Sequence, residues 1–236
     1  MAMRGIALAA CQTLDPADVD RFAKLAAATA VPPETASSPT PKEELAKALR
    51  TARLPEADDV EGLPGVVDES SFDFLNGGKY VKATLDTAPS QVVQFVHQGD
   101  RWFPIERGPA GRQRVSSELD LSVRSPESAL AYVQWLFTAT SEGGFWLVDS
   151  VDDVPFMPAT RHEKGLQEQI ESARKDLENK IQPPRAEVSD MVYVVHQDAV
   201  SGRDLVRYTV RVSKLGLTTV ETVTIAGSLP IVYAGT

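Results

Sequence analysis

The chain has 236 residues, 42% of them apolar and 24% charged, and a formal net charge of −9. That length allows one or two domains with a real core, and no stretch approaches the roughly 20 apolar residues of a membrane-spanning helix. The acidity disfavours nucleic acid, whose phosphates need a basic face, and direct adsorption to an anionic membrane surface; solubility is the plain reading of it.

Met1-Ala2-Met3-Arg4 carries one positive charge, and Gly5 to Ala10 is a run of six small apolar residues. A basic start, an apolar run and small residues before a cleavage point form the order of an export signal. Six residues fall short of the roughly 7–15 of a working signal, which a start further upstream would explain. Leu8-Ala9-Ala10-Cys11 resembles the lipobox of bacterial lipoproteins, with Leu at the third position before the cysteine. The resemblance covers these four residues alone. It implies cleavage before Cys11, a diacylglycerol on its thiol and three acyl chains in all, where one chain would bind a membrane only marginally. It also implies an address on the periplasmic side of the cell envelope, and Gln12, a residue other than Asp after the cysteine, implies the outer membrane. Cys11 is the only cysteine, so it has no internal disulfide to make. The alternative is a cytoplasmic protein with an Ala-rich first turn and a buried thiol.

Asp15-Pro16 reads as a helix start, with Asp as N-cap and Pro at the first helical position. Val19, Phe22, Leu25 and Ala26 follow at helical spacing, fading by Thr29. Val31 to Lys42 contains four prolines and reads as an extended linker. Lys42 to Arg53 is expected as a second short helix, with Leu45, Ala48, Leu49 and Ala52 on one side. Leu54 to Glu69 is acidic and irregular. A calcium site there would draw on its clustered oxygens, but the spacing matches no EF-hand loop, and a solvated loop is the simpler reading. The expected organisation is therefore an export signal over residues 1–11, a helical and Pro-rich spacer over 12–69, and a globular domain over 70–236.

In the globular part, Asn76-Gly77-Gly78 is a turn signal, and Lys79 to Leu85 and Gln91 to Gln98 are strand candidates. Gly99-Asp100 turns the second of these into Arg101 to Ile105. Val115 to Val123 alternates apolar and polar residues and predicts a strand with one wet face. Ser125-Pro126-Glu127 starts a helix whose apolar residues, from Ala129 to Phe137, cover most of its circumference, so it is expected to be central and buried. Gly143-Gly144 ends it before the apolar strand Phe145 to Val148. Thr160 and Glu163 form a capping box, and Leu166, Ile170, Ala173, Leu177 and Ile181 make a narrow stripe on a surface helix over 161–181. Met191 to His196, Asp204 to Ser213 and Thr218 to Ala226 predict a C-terminal meander. These elements sum to an α+β fold with antiparallel sheet, a buried central helix, a surface helix and a C-terminal β-meander.

Familiar catalytic signatures do not occur: no phosphate-binding glycine loop, no G-x-G-x-x-G, no G-x-S-x-G. Leu166 stands four residues beyond His162, so there is no zincin pair, and one Cys with three His does not suggest a dedicated metal cage or another cofactor. Two weaker features remain. Val93 to Gln98 and Val192 to Gln197 each place His-Gln at the end of a Val-rich strand. If those strands were neighbours, His97 and His196 would be candidates for an acid/base site with Asp100 or Asp198; ordinary strand-end hydrogen bonding is the alternative. Arg107, Arg112 and Arg114 lie on a Gly/Pro-rich stretch expected as a loop, and their guanidinium forks suit carboxylate or phosphate; neutralisation of nearby acids is the alternative. The function expected is a non-catalytic, lipid-anchored accessory or binding protein of the cell envelope, reaching the membrane through Cys11 and a protein partner through helix 161–181 or a sheet edge. The other readings are an enzyme built on the two histidines, and a small-ligand carrier with an apolar pocket between helix 126–138 and the sheet.

Overall fold

The computed structural model describes residues 40–158 and 164–232. The lipobox with Cys11, the helix expected after Asp15 and the Thr160/Glu163 capping box lie outside the described residues.

Helix α1 (Pro41–Thr51) starts where Thr40 and Glu43 cap each other. The Thr40 hydroxyl accepts from the Glu43 N–H at 3.3 Å and the Glu43 carboxylate accepts from the Thr40 N–H at 2.7 Å, which satisfies two of the donors a helix start leaves open. The acidic stretch expected as an irregular loop instead forms helix α2 (Glu56–Gly62) and strand β1 (Gly65–Ser71). Glu56, Asp58 and Asp59 sit in the first turn of α2, where the positive end of the helix dipole favours them, and Arg50 of α1 pairs with Asp58 at 3.2 Å and with Glu61. Residues 40–69, expected as spacer, thus contain two helices and a strand. Leu45, Leu49, Ala57 and Val60 are buried in one cluster with Val81, Leu85 and Phe95.

Strands β1, β2 (Lys79–Leu85), β3 (Gln91–Gln98) and β4 (Arg101–Pro104) form a four-stranded antiparallel sheet in chain order. Asn76 (φ 46°) and Gly77 (φ 84°) provide the left-handed turn before β2. Gly99 (φ 57°) and Asp100 close the two-residue hairpin between Gln98 and Arg101.

The strand expected over 115–123 is not formed. Residues Gly108–Glu118 are helix α3, and only the continuation is extended. Leu119, Leu121 and Val123 do alternate inward, but the segment bonds singly, Ser122 N–H to Phe74 C=O at 2.9 Å and Val123 N–H to Lys214 C=O at 2.9 Å. Period two was real over five residues. Before them Val115 and Leu119 also satisfy helical i, i+4 spacing, and tertiary packing decided for the helix.

Helix α4 (Pro126–Thr140) begins at the expected Ser125 cap, whose hydroxyl accepts from Ser128 N–H at 3.1 Å. Ala129, Tyr132, Val133, Leu136 and Phe137 are all buried. Strand β5 (Phe145–Val148) follows, then helix α5 (Lys164–Leu177), β6 (Arg185–Ser189), β7 (Val192–Ser201), β8 (Asp204–Ser213) and β9 (Thr218–Ala226). The second sheet runs β5-β7-β8-β9, all antiparallel, with β6 pairing the N-terminal half of β7 while β5 pairs its C-terminal end. The fold is α+β, with the expected meander at its C-terminus.

Parity along the strands fixes the layers. Val96 of β3 and Val195, Val210 and Val212 of the second sheet share one core with α4. Phe95, on the other face of β3, belongs to the cluster under α1 and α2. Val200, on the far face of β7, joins Leu177 of α5, Ile181 just after it and the closing residues Leu229 and Ile231. Helix α4 is therefore held between two sheets, each backed by helix on its far side. The apolar stripe of α5 is turned inward, with Ile170 and Leu177 buried.

Candidate functional site

The two expected histidines do not meet. His97 shares the parity of Phe95 and faces the α1/α2 side of the first sheet, where its ring stacks on Trp102 (centroids 4.3 Å, planes 11° apart). His196 shares the parity of Val200 on the far face of the second sheet. Its Nδ1 lies 3.3 Å from the Thr209 hydroxyl and its Nε2 3.8 Å from a Glu187 oxygen. The layer containing α4 separates them, so they form no joint acid/base site. Asp198 is not free for chemistry either: it is buried and gripped by Arg207 at 2.7 and 2.8 Å.

Two of the three arginines, Arg112 and Arg114, stand on α3 and not on a loop. Arg107 is the residue before the first turn. The Arg112 guanidinium lies 5.1 Å from the Phe137 ring centre. Arg114 bonds Glu118 at 3.1 Å and also pairs with Glu106, while lying 5.3 Å from the Phe103 ring centre. Arg114 is thus engaged with two acids, as the neutralising alternative expects, and Arg112 with an aromatic ring. Among the described residues no group of three His, Cys, Asp or Glu is placed to hold a metal ion, and no helix is long and apolar enough to cross a membrane.

A groove of about 630 Å3 opens between α4 and the first sheet. Its origin is a row on α4. Ala131, Gln134 and Thr138 follow at i, i+3 and i+7 on one side of the helix, two of them are small, and all three line the groove. Beside this row Phe72, Tyr80 and Trp135 form one aromatic wall, and Ala139 and Leu147 of β5 also line the groove. The aromatic wall is rigidly packed: Tyr80 meets Trp135 edge-on at 5.7 Å, and Phe72 stands 6.2 Å from the same ring. Tyr80 O–H donates to Gln94, which donates in turn to Ala139 C=O at 3.0 Å, tying the sheet side of the groove to the helix side. Burial pushes the Tyr80 phenol up to about 12, so it is neutral near pH 7. The Trp135 indole N–H is buried with no partner among the described residues.

The rim is charged. Lys82 stands on the sheet side, Asp149 and Asp153 on the loop after β5. Backbone N–H groups of Asp149 and Ser150, with the Ser150 hydroxyl, bond the Asp153 carboxylate at 2.9–3.1 Å and hold it below the ordinary carboxylate range. Gln134 donates to the buried Gln197 at 3.0 Å, and Gln197 reaches Asp149 at 3.3 Å. The site can therefore seat an apolar or aromatic body along the wall and meet polar groups at the mouth. A smaller cleft of about 270 Å3 beside β3 and β4 is less suited to a ligand, because its polar groups are used on one another. Gln98 bonds Asp120 N–H at 3.0 Å and Asp120 C=O at 2.7 Å, and Asn76 donates to the Asp120 carboxylate at 2.7 Å.

The residues of the groove were not singled out from the sequence, although its location between helix 126–138 and the sheet is the one expected for a ligand carrier. The readable signal was the row of Ala131, Gln134 and Thr138 in an otherwise apolar helix. Comparison of the chain with protein-family models, with curated proteins and with solved structures returned no match.

Proposed function

We propose that this chain is a non-catalytic binding module of the bacterial cell envelope, carried on a lipid attached to Cys11, and that it binds a small amphipathic ligand in the groove beside α4. One observation carries the binding half. The groove is about 630 Å3, within the roughly 300–1,000 Å3 of small-molecule sites. Its aromatic wall with two carboxylates and one ammonium at the rim matches the composition of such sites, in which apolar lining holds the ligand and a few polar groups orient it. The Leu8-Ala9-Ala10-Cys11 resemblance supports the address.

Each half has its own test. Nile red titrated into the protein is expected to give one saturable phase that is lost in Ala131→Trp and Thr138→Trp. Both positions are exposed on the groove side of α4, so an indole there fills the groove without disturbing the core. Saturable binding that survives both substitutions would place the ligand elsewhere and end this reading. For the address, the native gene product with its natural upstream region is expected to carry acyl mass at Cys11 and to partition into detergent, and Cys11→Ala to lose both. An unprocessed, water-partitioning native product would remove the tether.

A further inference from the structure

Strand β9 is the outer strand of the second sheet, and unlike the other sheet edges it is unguarded. Natural sheets protect edges by shortness, charge or proline. Strand β1 carries Asp68 and Glu69 on its edge. Strand β4 is four residues long and ends in Pro104. On the far side of the second sheet, β5 has four residues and β6 has five, with Arg185 and Glu187. Strand β9 has nine residues, Thr218–Ala226, with Glu221 as its one charge and no proline. Most of it is exposed, Val220 at 42% and Val223 at 61%, and among the described residues no strand pairs with its outer edge.

We infer that β9 pairs antiparallel with β9 of a second copy of this chain, joining two five-stranded sheets into one about a two-fold axis at Thr222. The sequence of the strand suits this partner and this register. Centred on Thr222, Val220 faces Thr224, Thr219 faces Ile225, and Glu221 faces Val223 of the other copy. Residues of like parity then stand opposite, so the face that packs on α4 remains on one side of the joined sheet. Three of the five distinct pairs, Thr219 with Ile225, Val220 with Thr224 and Thr222 with itself, are β-branched on both sides, a combination that stabilises neighbouring strands. Moving the axis one residue to Glu221 would set the two carboxylates directly opposite, which like charges disfavour. Two nine-residue strands bury less than the roughly 1,200–2,000 Å2 of a stable interface, so the dimer is expected to be concentration dependent. This inference is independent of the groove and of the lipid.

The register makes an opposite-sign test. In Cys11→Ala protein, which cannot cross-link through its thiol, sedimentation velocity over a concentration series is expected to move from monomer to dimer mass. Val223→Glu sets a carboxylate against Glu221 at two symmetric places and is expected to weaken the dimer at least about fivefold. Val223→Lys sets an ammonium there and is expected to keep or tighten it. Val223 is exposed, and unchanged circular dichroism will show both variants folded. Amide exchange in β9 should slow as protein concentration rises. Monomer at all concentrations overturns the inference, and if β9 amides are then protected, a segment of the same chain occupies the edge. A dimer indifferent to both substitutions, or weakened equally by both, overturns it as well, since the contact or the register then lies elsewhere.

Discussion

Replacing Asp198 with Ala is expected to be among the most damaging single changes in the second sheet. Asp198 is 2% exposed. Its carboxylate accepts Arg207 Nε at 2.7 Å and Arg207 Nη2 at 2.8 Å, a two-point grip, and the Gln182 N–H at 2.9 Å. Arg207 also donates to Lys180 C=O at 2.8 Å. One ion pair therefore ties β7 and β8 to the chain leaving α5, and the bonding carboxylate holds the Arg207 guanidinium above its ordinary range. Removing one partner of a buried pair costs about 3–5 kcal/mol, because the other charge is left uncompensated. Arg207 keeps 23% side-chain exposure and its Lys180 bond, so part of that charge is rehydrated, and about 2–4 kcal/mol is the reasoned loss. In a domain of this size that corresponds to a fall in Tm of roughly 5–15 °C. Urea unfolding followed by far-UV circular dichroism measures it, with the midpoint shifted and the slope unchanged. The double change Asp198→Leu with Arg207→Met removes both charges and is expected to recover more than half of the loss. A single-mutant loss below about 1 kcal/mol, or a double mutant no better than Asp198→Ala, would refute the assignment of the cost to an orphaned charge.

Three other outcomes follow from local geometry. Tyr132→Phe removes the buried bond from the phenol to Gly216 C=O at 3.0 Å and should cost about 1–3 kcal/mol, read from the same urea midpoints. Gly111→Ala would put a methyl 1.9 Å from the Glu106 carbonyl oxygen, so the start of α3 must move; a loss of about 2–4 kcal/mol is expected, whereas Gly165→Ala, with nothing within 4 Å, should be neutral or slightly stabilising. Alkaline pH should unfold the protein through its buried phenols. Burial raises the Tyr80 phenol to about 12 and the Tyr132 phenol further, while the unfolded chain ionises near 10. The unfolded state then loses protons first, so stability is full below about pH 10 and declines above it, through about pH 12 for Tyr80. Tyrosinate absorbance in the native protein should lag correspondingly, and a stability flat across that window would contradict the burial of these rings.

What the sequence disclosed depended on whether a local signal agreed with the packing. The meander was legible because Val, Thr and Tyr recur in β7, β8 and β9 and glycine marks the turns; two of its three strands have the expected ends, and β7 runs on to Ser201. The Ser125-Pro126 cap announced α4, and the stripe through Leu177 announced the inward face of α5. Helix α3 was hidden because Gly108, Pro109 and Gly111 read as a loop. What makes it helical is tertiary: Val115 is buried, Arg112 lies over Phe137, Arg114 lies over Phe103, and only a residue without a side chain fits against Glu106. Helix α2 was hidden for the opposite reason. Its acids looked like a solvated run, but they complement the helix dipole and Arg50, while Ala57 and Val60 alone turn to the core. Strand β6, five residues after Pro183-Pro184, is too short to show a period and exists because half of β7 had an open edge.

The site followed from a conflict inside one helix. A helix buried on two sides needs apolar residues around most of its circumference, and α4 has them except along Ala131, Gln134 and Thr138. A well-filled layer would place large apolar side chains at all three. Instead Ala131 and Thr138 are exposed, and Gln134 bonds across to Gln197, itself 1% exposed. Gln197 in turn donates to Val148 C=O at 3.3 Å and Asp198 C=O at 2.9 Å, so the polar chain is satisfied and fixes α4 to the second sheet. On the other side α4 packs on the first sheet through Trp135 and the Gln94–Ala139 bond, and the short side chains of Ala131 and Thr138 leave the space beside Phe72, Tyr80 and Trp135 open. The histidine echo pointed elsewhere because it was read as one-dimensional likeness, whereas the parity of the two strands sends His97 and His196 to opposite outer faces. In this fold the informative departures are small and polar residues at positions where burial calls for large apolar ones.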